Sequence, residues 1–249
     1  MNESKLIIQS LPTRIFKMNE TLVSFLIESI PEVLIQEGSI LAITSKLVSI
    51  SEGNFSKKTE SGEITKDRAQ KKLLVENEAD VCLGETKFHV QLTVKHGLLL
   101  PSAGIDESNS ENGDFILYPK DPYATAQEIG LALRRHYQVK DLGIILTDSH
   151  TSPLRVGVTG IALSHFGFKA VRSLIGQKDL FGRELKATQV NILDALTSAA
   201  VLEMGESDDS RPLAMITGAR GIEFTDSSSP TEIQIKIEDD LYLQKFAKK

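Results

Sequence analysis

Residues 142–157, LGIILTDSHTSPLRVG, place the tightest constraint on how this chain can fold. The opening LGIIL is apolar throughout and reads as a buried strand, which other elements must cover. The same strand ends on Asp148, Ser149 and His150, just before a turn that carries Pro153 and Arg155. Oxygen ligands at the carboxyl end of a strand can hold a metal or a phosphate, whereas polar residues can also cap a strand with no further role. The fold must therefore bury the strand and still find partners for its polar end.

Other segments supply the cover. KLIIQ and SILAIT read as strands, and NETLVSFLIESI as a helix with Asn19 as N-cap and Leu22, Phe25, Leu26 and Ile30 along one face. The polar stretch from Ser49 to Thr65 reads as a loop whose Lys57 and Lys58 are solvated, followed by a helix from about Lys66 to Ala79. FHVQLTVKHGLLLP gives one or two strands. DPYATAQEIGLALRRHY starts a helix with Asp121 at the N-cap and Pro122 at N1. VGVTGIALS and RPLAMIT are further strands, VNILDALTSAAVLEMG is a helix ending near Gly205, and TEIQIKIEDD alternates as an edge strand would. Strands and helices alternate too irregularly for a doubly wound sheet. The expected class is α+β with a mixed sheet, one domain over residues 1–249 with two lobes meeting near 140–160.

Composition removes several functions. With 41% apolar residues in 249, the chain can bury a real core, and a net charge of -6 gives no broad basic face for nucleic acid. No run reaches the ~20 apolar residues of a membrane span, and the start lacks the pattern of a secretory signal, so a cytoplasmic protein is expected. Cys82 is the single cysteine, which excludes an intrachain disulfide and a cysteine-built metal site; it reads as a small core residue. The P-loop pattern and the strand-associated GxGxxG are both absent.

Four polar clusters follow apolar segments. Ser45 and Lys46, after SILAIT, can bind a phosphate through hydroxyl, backbone N–H and ammonium. Asp106, with Ser108 and Asn109 close behind Gly104, forms an oxygen-rich loop suited to Mg²⁺ or Mn²⁺, or an ordinary Asx turn. Asp148 and Ser149 offer hard ligands, with His150 either a satisfied polar group or a base. MGESDDS places Glu206, Asp208 and Asp209 at the negative end of a helix dipole, a position that a cation would relieve and water can also solvate. Acidic clusters plus a lysine, without a cysteine or histidine set, describe a hard-cation nucleotide site rather than a zinc site.

Taken in order, ITSKLVSISEG, SAGIDESN, YPKDPYATA, ILTDSHTSPLRVGVTGIA, KDLFGRELKATQVN and SAAVLEMGESDDSRPLAMI resemble the coenzyme F420-0:L-glutamate ligase family, the CofE-like gamma-glutamyl ligases, from Leu11 to Gly218. The resemblance implies a GTP-dependent ligase with two divalent cations, Mg²⁺ or Mn²⁺, working as an intertwined homodimer of a two-lobed, mixed-sheet fold. Carried over by position, it implies metal ligands at Asp106, Asp148, Ser149 and Glu206. It implies GTP contacts at Leu11, Pro12 and Thr13, at Ser45 and Lys46, at Asn109, and at Met204, Gly205, Glu206, Ser207, Asp208, Asp209, Ser210 and Arg211. Its substrates would be L-glutamate and a carboxylate-bearing coenzyme.

Two departures bear on function. Where many members read SKAEG this chain reads SISEG, so Ile50 replaces a lysine that helps hold the nucleotide, and Lys46 is its expected substitute. Members acting on the deazaflavin coenzyme carry TDTxGRPxR, whereas this chain has TDSHTSPLR, which resembles a branch proposed to glutamylate folates. The acceptor is thus F420-0 or a reduced folate, and no fused flavin-binding domain is expected after residue 249. Lys46 and Arg155 are the expected catalytic cations, stabilising the transferring phosphoryl group or the glutamate carboxylates. A metal-dependent phosphohydrolase and a non-catalytic nucleotide sensor are the competing readings.

Overall fold

A computed structural model describes residues 5–17, 20–58, 64–108, 110 and 113–242. Within them the strands are β1 (Ile7–Leu11), β2 (Ser39–Thr44), β3 (Phe55–Ser56), β4 (Val81–Glu85), β5 (Gln91–Lys95), β6 (Leu98–Pro101), β7 (Phe115–Ile116), β8 (Leu142–Thr151), β9 (Val158–Phe166), β10 (Val171–Ser173), β11 (Gln189–Asn191) and β12 (Leu213–Thr217). The helices are α1 (Leu22–Ser29), α2 (Ser45–Ser51), α3 (Ile64–Glu78), α4 (Pro122–Tyr137) and α5 (Ile192–Met204). No helix among the described residues is long and apolar enough to cross a membrane.

The expected buried strand lies inside a five-stranded mixed sheet of order β1-β12-β2-β8-β9. β12 runs antiparallel to both β1 and β2, and β2 runs parallel to β8, so β1, β2 and β8 all point the same way. Burial on both faces explains the apolar runs of β2 and β8, whereas β1, at the sheet edge, is partly exposed. Leu41, Ile43, Ile144 and Leu146 pack with Phe25 and Leu26 of α1 and Ile129 and Leu133 of α4. The alternate residues Ile40, Ala42 and Ile145 pack with Leu193, Leu196 and Ala200 of α5 on the opposite face. β8 pairs with β2 over residues 142–147 and with β9 over 144–151. A second unit is the antiparallel sheet β4-β5-β6, joined to α3 through a small core of Val75, Ala103, Ile105 and Phe115.

Local chemistry sets the helix ends. Asp121 caps α4 by accepting a hydrogen bond from the Ala124 backbone N–H at 2.9 Å, with Pro122 supplying the first helical residue. Asn191 caps α5 by accepting from Asp194 N–H at 3.0 Å. α1 is capped by Thr21, whose hydroxyl accepts from Ser24 N–H; Asn19, the expected cap, lies outside the described residues.

Four expectations are corrected. The polar stretch from Ser49 is not all loop, because β2 runs straight into α2, and Ser45 and Lys46 form its first turn. Lys58 is not simply solvated: it pairs with Asp67 at 3.2 Å and Glu107 at 3.1 Å. TEIQIKIEDD forms no strand. Pro230 starts a 3₁₀ turn capped by Ser229, Ile233 packs on the α5-side core, and Gln234 bonds the His96 carbonyl, so its alternating residues are spent one by one. Cys82 is exposed rather than core, since it lies on β4, a strand whose only partner among the described residues is β5 and whose residues are all exposed.

Gly160 of β9 shows how closely α5 sits on the sheet. A Cβ there would lie 2.6 Å from the Thr197 carbonyl oxygen and 2.7 Å from Val201 Cγ2. Because backbone cannot yield cheaply, Gly160→Ala should cost about 1–3 kcal/mol. The expected outcome in a thermal melt is a midpoint lowered by roughly 2–4 °C per kcal/mol; an unchanged midpoint would mean that α5 does not dock this closely.

Candidate active site at the strand ends

Because β1, β2 and β8 point the same way, their carboxyl ends share one edge of the sheet, as do the ends of open α/β sheets that bind ligands. The pairing Leu11–Leu213–Ile43–Leu146 runs straight across four strands. Just beyond that row come Pro12 and Thr13, Ser45 and Lys46, Asp148 and Ser149, and, ahead of β12, the segment 205–212. Backbone bonds tie these together: Thr13 N–H donates to Ser210 O and Thr44 N–H to Pro212 O, both at 3.0 Å. The structure thus brings to one edge three of the clusters singled out from sequence.

The fourth cluster reaches the same place from the smaller unit. Lys46 Nζ lies 2.7 Å from Asp106 Oδ2 and donates to Ser108 Oγ at 2.8 Å. Asp106 Oδ1 also accepts from the backbone N–H groups of Glu107 and Ser108, at 2.6 and 2.9 Å. Gly104, at φ +74, lets this loop pass close to β8: a Cβ on it would stand 3.0 Å from the Tyr118 ring and 3.8 Å from Asp148 Oδ2. Any side chain here would be doubly disfavoured, by its left-handed backbone and by crowding.

Electrostatics follow from this crowding. Burial pushes the Asp148 carboxyl up to about 7; the Ser149 N–H (2.8 Å) and Lys46 oppose that, while Asp106 and Glu206 add to it. Asp106 goes the other way: partial burial works to raise its carboxyl, but Lys46 and Ser108 outweigh it and hold it below its ordinary value. Three carboxylates therefore share one field with Lys46 as the nearby cation. Among the described residues no three His, Cys, Asp or Glu side chains converge closely enough to hold a metal as they stand. Oxygen donors of this kind suit a hard divalent cation, which Asp106 and Asp148 could hold.

The remaining expected residues divide. Met204 is buried in the α5-side core, so only its backbone is free to face a ligand. Gly205 caps α5 with φ +83, and Glu206, Asp208, Asp209 and Arg211 are exposed in the loop that follows. Asn109 lies outside the described residues. Ile50 packs against the main core, so the SKAEG position has become a packing position. Burial lowers the His150 imidazole, against the pull of Asp194. Arg155 sits in the exposed β8–β9 turn, beyond the end of β8, and the structure does not bring it to Lys46.

Sequence reasoning missed the outer support of the Asp106 loop. Glu107 is held between Lys58 (3.1 Å) and Lys71 (2.9 Å), cations 49 and 36 residues away. No spacing rule links such positions; the only signal was an acidic residue beside Asp106 and lysines without partners. Tyr118 was missed as well: its ring packs beneath Gly104, and its buried hydroxyl has no hydrogen-bond partner among the described residues.

Because the Asp148 carboxyl is raised in the fold, the native state binds its proton more tightly than the unfolded chain does. Its contribution to stability is then full below the ordinary carboxylate value of about 4 and is lost as pH rises through about 7. Chemical denaturation of cation-free protein between pH 4 and 8 should show this fall, and Asp148→Asn should flatten it. An identical pH slope in the variant would place the Asp148 carboxyl in water.

Residues 10–218 match the family described as F420-0:gamma-glutamyl ligase. The chain is 34% identical over 221 residues to a coenzyme F420:L-glutamate ligase of Methanocaldococcus jannaschii, covering 85% of this chain and 88% of that protein. It is also 34% identical over 195 residues to the protein of that name from Methanopyrus kandleri (75% and 77% covered), and 43% identical over 135 residues to that from Methanosarcina mazei (54% and 52%). The matched span contains all four strand-end clusters, and the chain belongs to the F420-0:gamma-glutamyl ligase family.

Proposed function

We propose that the protein is a GTP- and divalent-cation-dependent gamma-glutamyl ligase, joining L-glutamate to the carboxylate of F420-0 or a reduced folate through an acyl phosphate. The observation that carries this reading is the meeting of Lys46, Asp106 and Asp148 with the 205–212 segment at one sheet edge. A carboxylate is a poor electrophile and its oxygen a poor leaving group, so amide formation at neutral pH needs an activated acyl group. Phosphoryl transfer from GTP provides it.

Asp106, Asp148, Ser149 and Glu206 would hold two Mg²⁺ or Mn²⁺ ions, which supply positive charge to the nucleotide phosphates. The Ser45–Lys46 turn and the segments 11–13, 109 and 204–211 would line the nucleotide. Lys46, held by Asp106 and Ser108, is placed to stabilise charge on the transferring group. Arg155, on the β8–β9 turn, would bind a carboxylate of glutamate or acceptor in bidentate fashion once the site is complete. The glutamate amine then displaces phosphate from the acyl group.

The assembly we propose is an intertwined homodimer of two-lobed subunits. Leu154 and Val156 in the β8–β9 turn and Leu180 and Phe181 between β10 and β11 are large apolar residues standing almost fully in water. Surfaces of this kind are what a second copy would cover.

Three outcomes are expected. Asp148→Asn should lower glutamate-dependent GDP release at least about 100-fold while leaving the fold intact, because a neutral amide cannot balance a cation's charge, whereas Glu206→Gln should be milder, because Glu206 stands exposed and water can take over a lost ligand. Undiminished turnover in Asp148→Asn would remove it from the site. GDP release by the native protein should need both L-glutamate and acceptor; release without glutamate would favour a phosphohydrolase, and tight GTP binding with no product a nucleotide sensor. A mass-spectrometric screen should find glutamate added to a reduced folate at least as readily as to F420-0, because HTSP replaces the Gly-Arg pair beside Asp148. A large preference for F420-0 in kcat/KM would reverse that assignment.

A further inference from the structure

On a surface helix, positions i, i+3, i+4 and i+7 share one stripe, and that stripe is apolar where it faces a sheet. In α3 the stripe facing the β4–β5 hairpin is Arg68, Lys71, Lys72 and Val75, and only Val75 is core. Three cations at these spacings repel one another along the helix. They also keep helix and sheet apart, leaving a cleft of about 230 Å³ lined by them together with Glu85, His89 and Gln91. Glu85, the one carboxylate in that lining, is already engaged: it accepts from Gln91 at 3.2 Å, meets His89 at 2.8 Å and stands 3.8 Å from Lys72. Arg68 makes no ion pair with any described residue. A seam that should be greasy is instead cationic, hollow and under-neutralised.

Two of its lining residues link the cleft to the loop that carries Asp106. Lys71 lines it and also holds Glu107, the neighbour of Asp106. Ser102, on its wall, lies four residues ahead of Asp106 on the same loop. We propose that this cleft is a subsite for the carboxylates of a gamma-glutamyl tail on the acceptor, with Arg68 and Lys72 as its binding cations. The assignment rests on the ligase reading, since each glutamate added leaves another free α-carboxylate on the product. An acceptor whose reactive carboxylate is at Lys46 can lay its earlier tail, or the rest of its anionic end, along α3. Occupancy of the cleft then decides how well a glutamylated product competes as the next acceptor, and so how long the tail becomes.

The test separates binding from turnover. Calorimetry on the full-length protein at low salt would use tri-γ-L-glutamate as probe and its α-carboxamide analogue as a neutral control. The charged probe should bind and the amide should not, and the Arg68→Ala, Lys72→Ala double variant should lose about tenfold in affinity with its thermal midpoint unchanged. In assays with an acceptor already carrying two glutamates, KM for it should rise by a similar factor in the double variant. KM for GTP, KM for L-glutamate and kcat with an untailed acceptor should stay as they were. Equal probe affinity in native protein and double variant, or equal binding of the amide, overturns the subsite whether or not the protein ligates glutamate. Selective binding by a protein that forms no glutamylated product would keep the subsite and defeat the ligase reading instead.

Discussion

The register that lines up Leu11, Leu213, Ile43 and Leu146 governs everything built above it. Side chains along a strand alternate faces, so a one-residue slip of any of these strands would turn its buried residues to the wrong face. Here both faces are covered, by α1 and α4 on one side and α5 on the other, and a slip would misplace apolar side chains without changing how many there are. What holds the register of β8 is therefore shape: Gly143 beneath Phe168 leaves no room for a neighbouring residue with a Cβ, and Gly160 beneath Thr197 and Val201 does the same for β9 beside it. That same register brings the ends of three strands to one line, and the polar residues of four distant segments meet because of it.

At that line the protein accepts an electrostatic cost. Asp148 is enclosed and its carboxyl raised, Asp106 is held ionised by Lys46, and Glu206 follows a helix C-terminus that repels it. A fold selected for stability alone would place neutral groups here. The arrangement makes physical sense when positive charge enters with a substrate, as the proposed nucleotide and its cations would bring it. The strain of the free protein then becomes affinity for the loaded state.

Much of this was legible in the sequence, for reasons that are local. SILAIT and LGIIL announce buried strands because their centres are apolar without a break, and Asp121-Pro122 announces α4 because cap and first turn are consecutive residues. Asp106, Asp148 and the MGESDDS loop could be picked out since oxygen-rich groups after apolar runs are conspicuous. What escaped depends on contacts between distant residues. Glu107 gains Lys58 and Lys71 only when α3 packs on its sheet, and β2 passes into α2 with no turn residue to mark the change. TEIQIKIEDD has the period of a strand, yet no strand edge receives it, and Pro230 turns it aside. Arg155, close to Asp148 in sequence, stands exposed in the turn after β8.

The claim at the centre of this account is that the strand-end site passes a phosphoryl group to the acceptor carboxylate before glutamate attacks. Oxygen-18 in both oxygens of that carboxylate follows it directly. After one turnover with GTP and L-glutamate, the account predicts one labelled oxygen in the released inorganic phosphate and the other in the new amide. Label in a nucleotide monophosphate, or phosphate released without label, would contradict it.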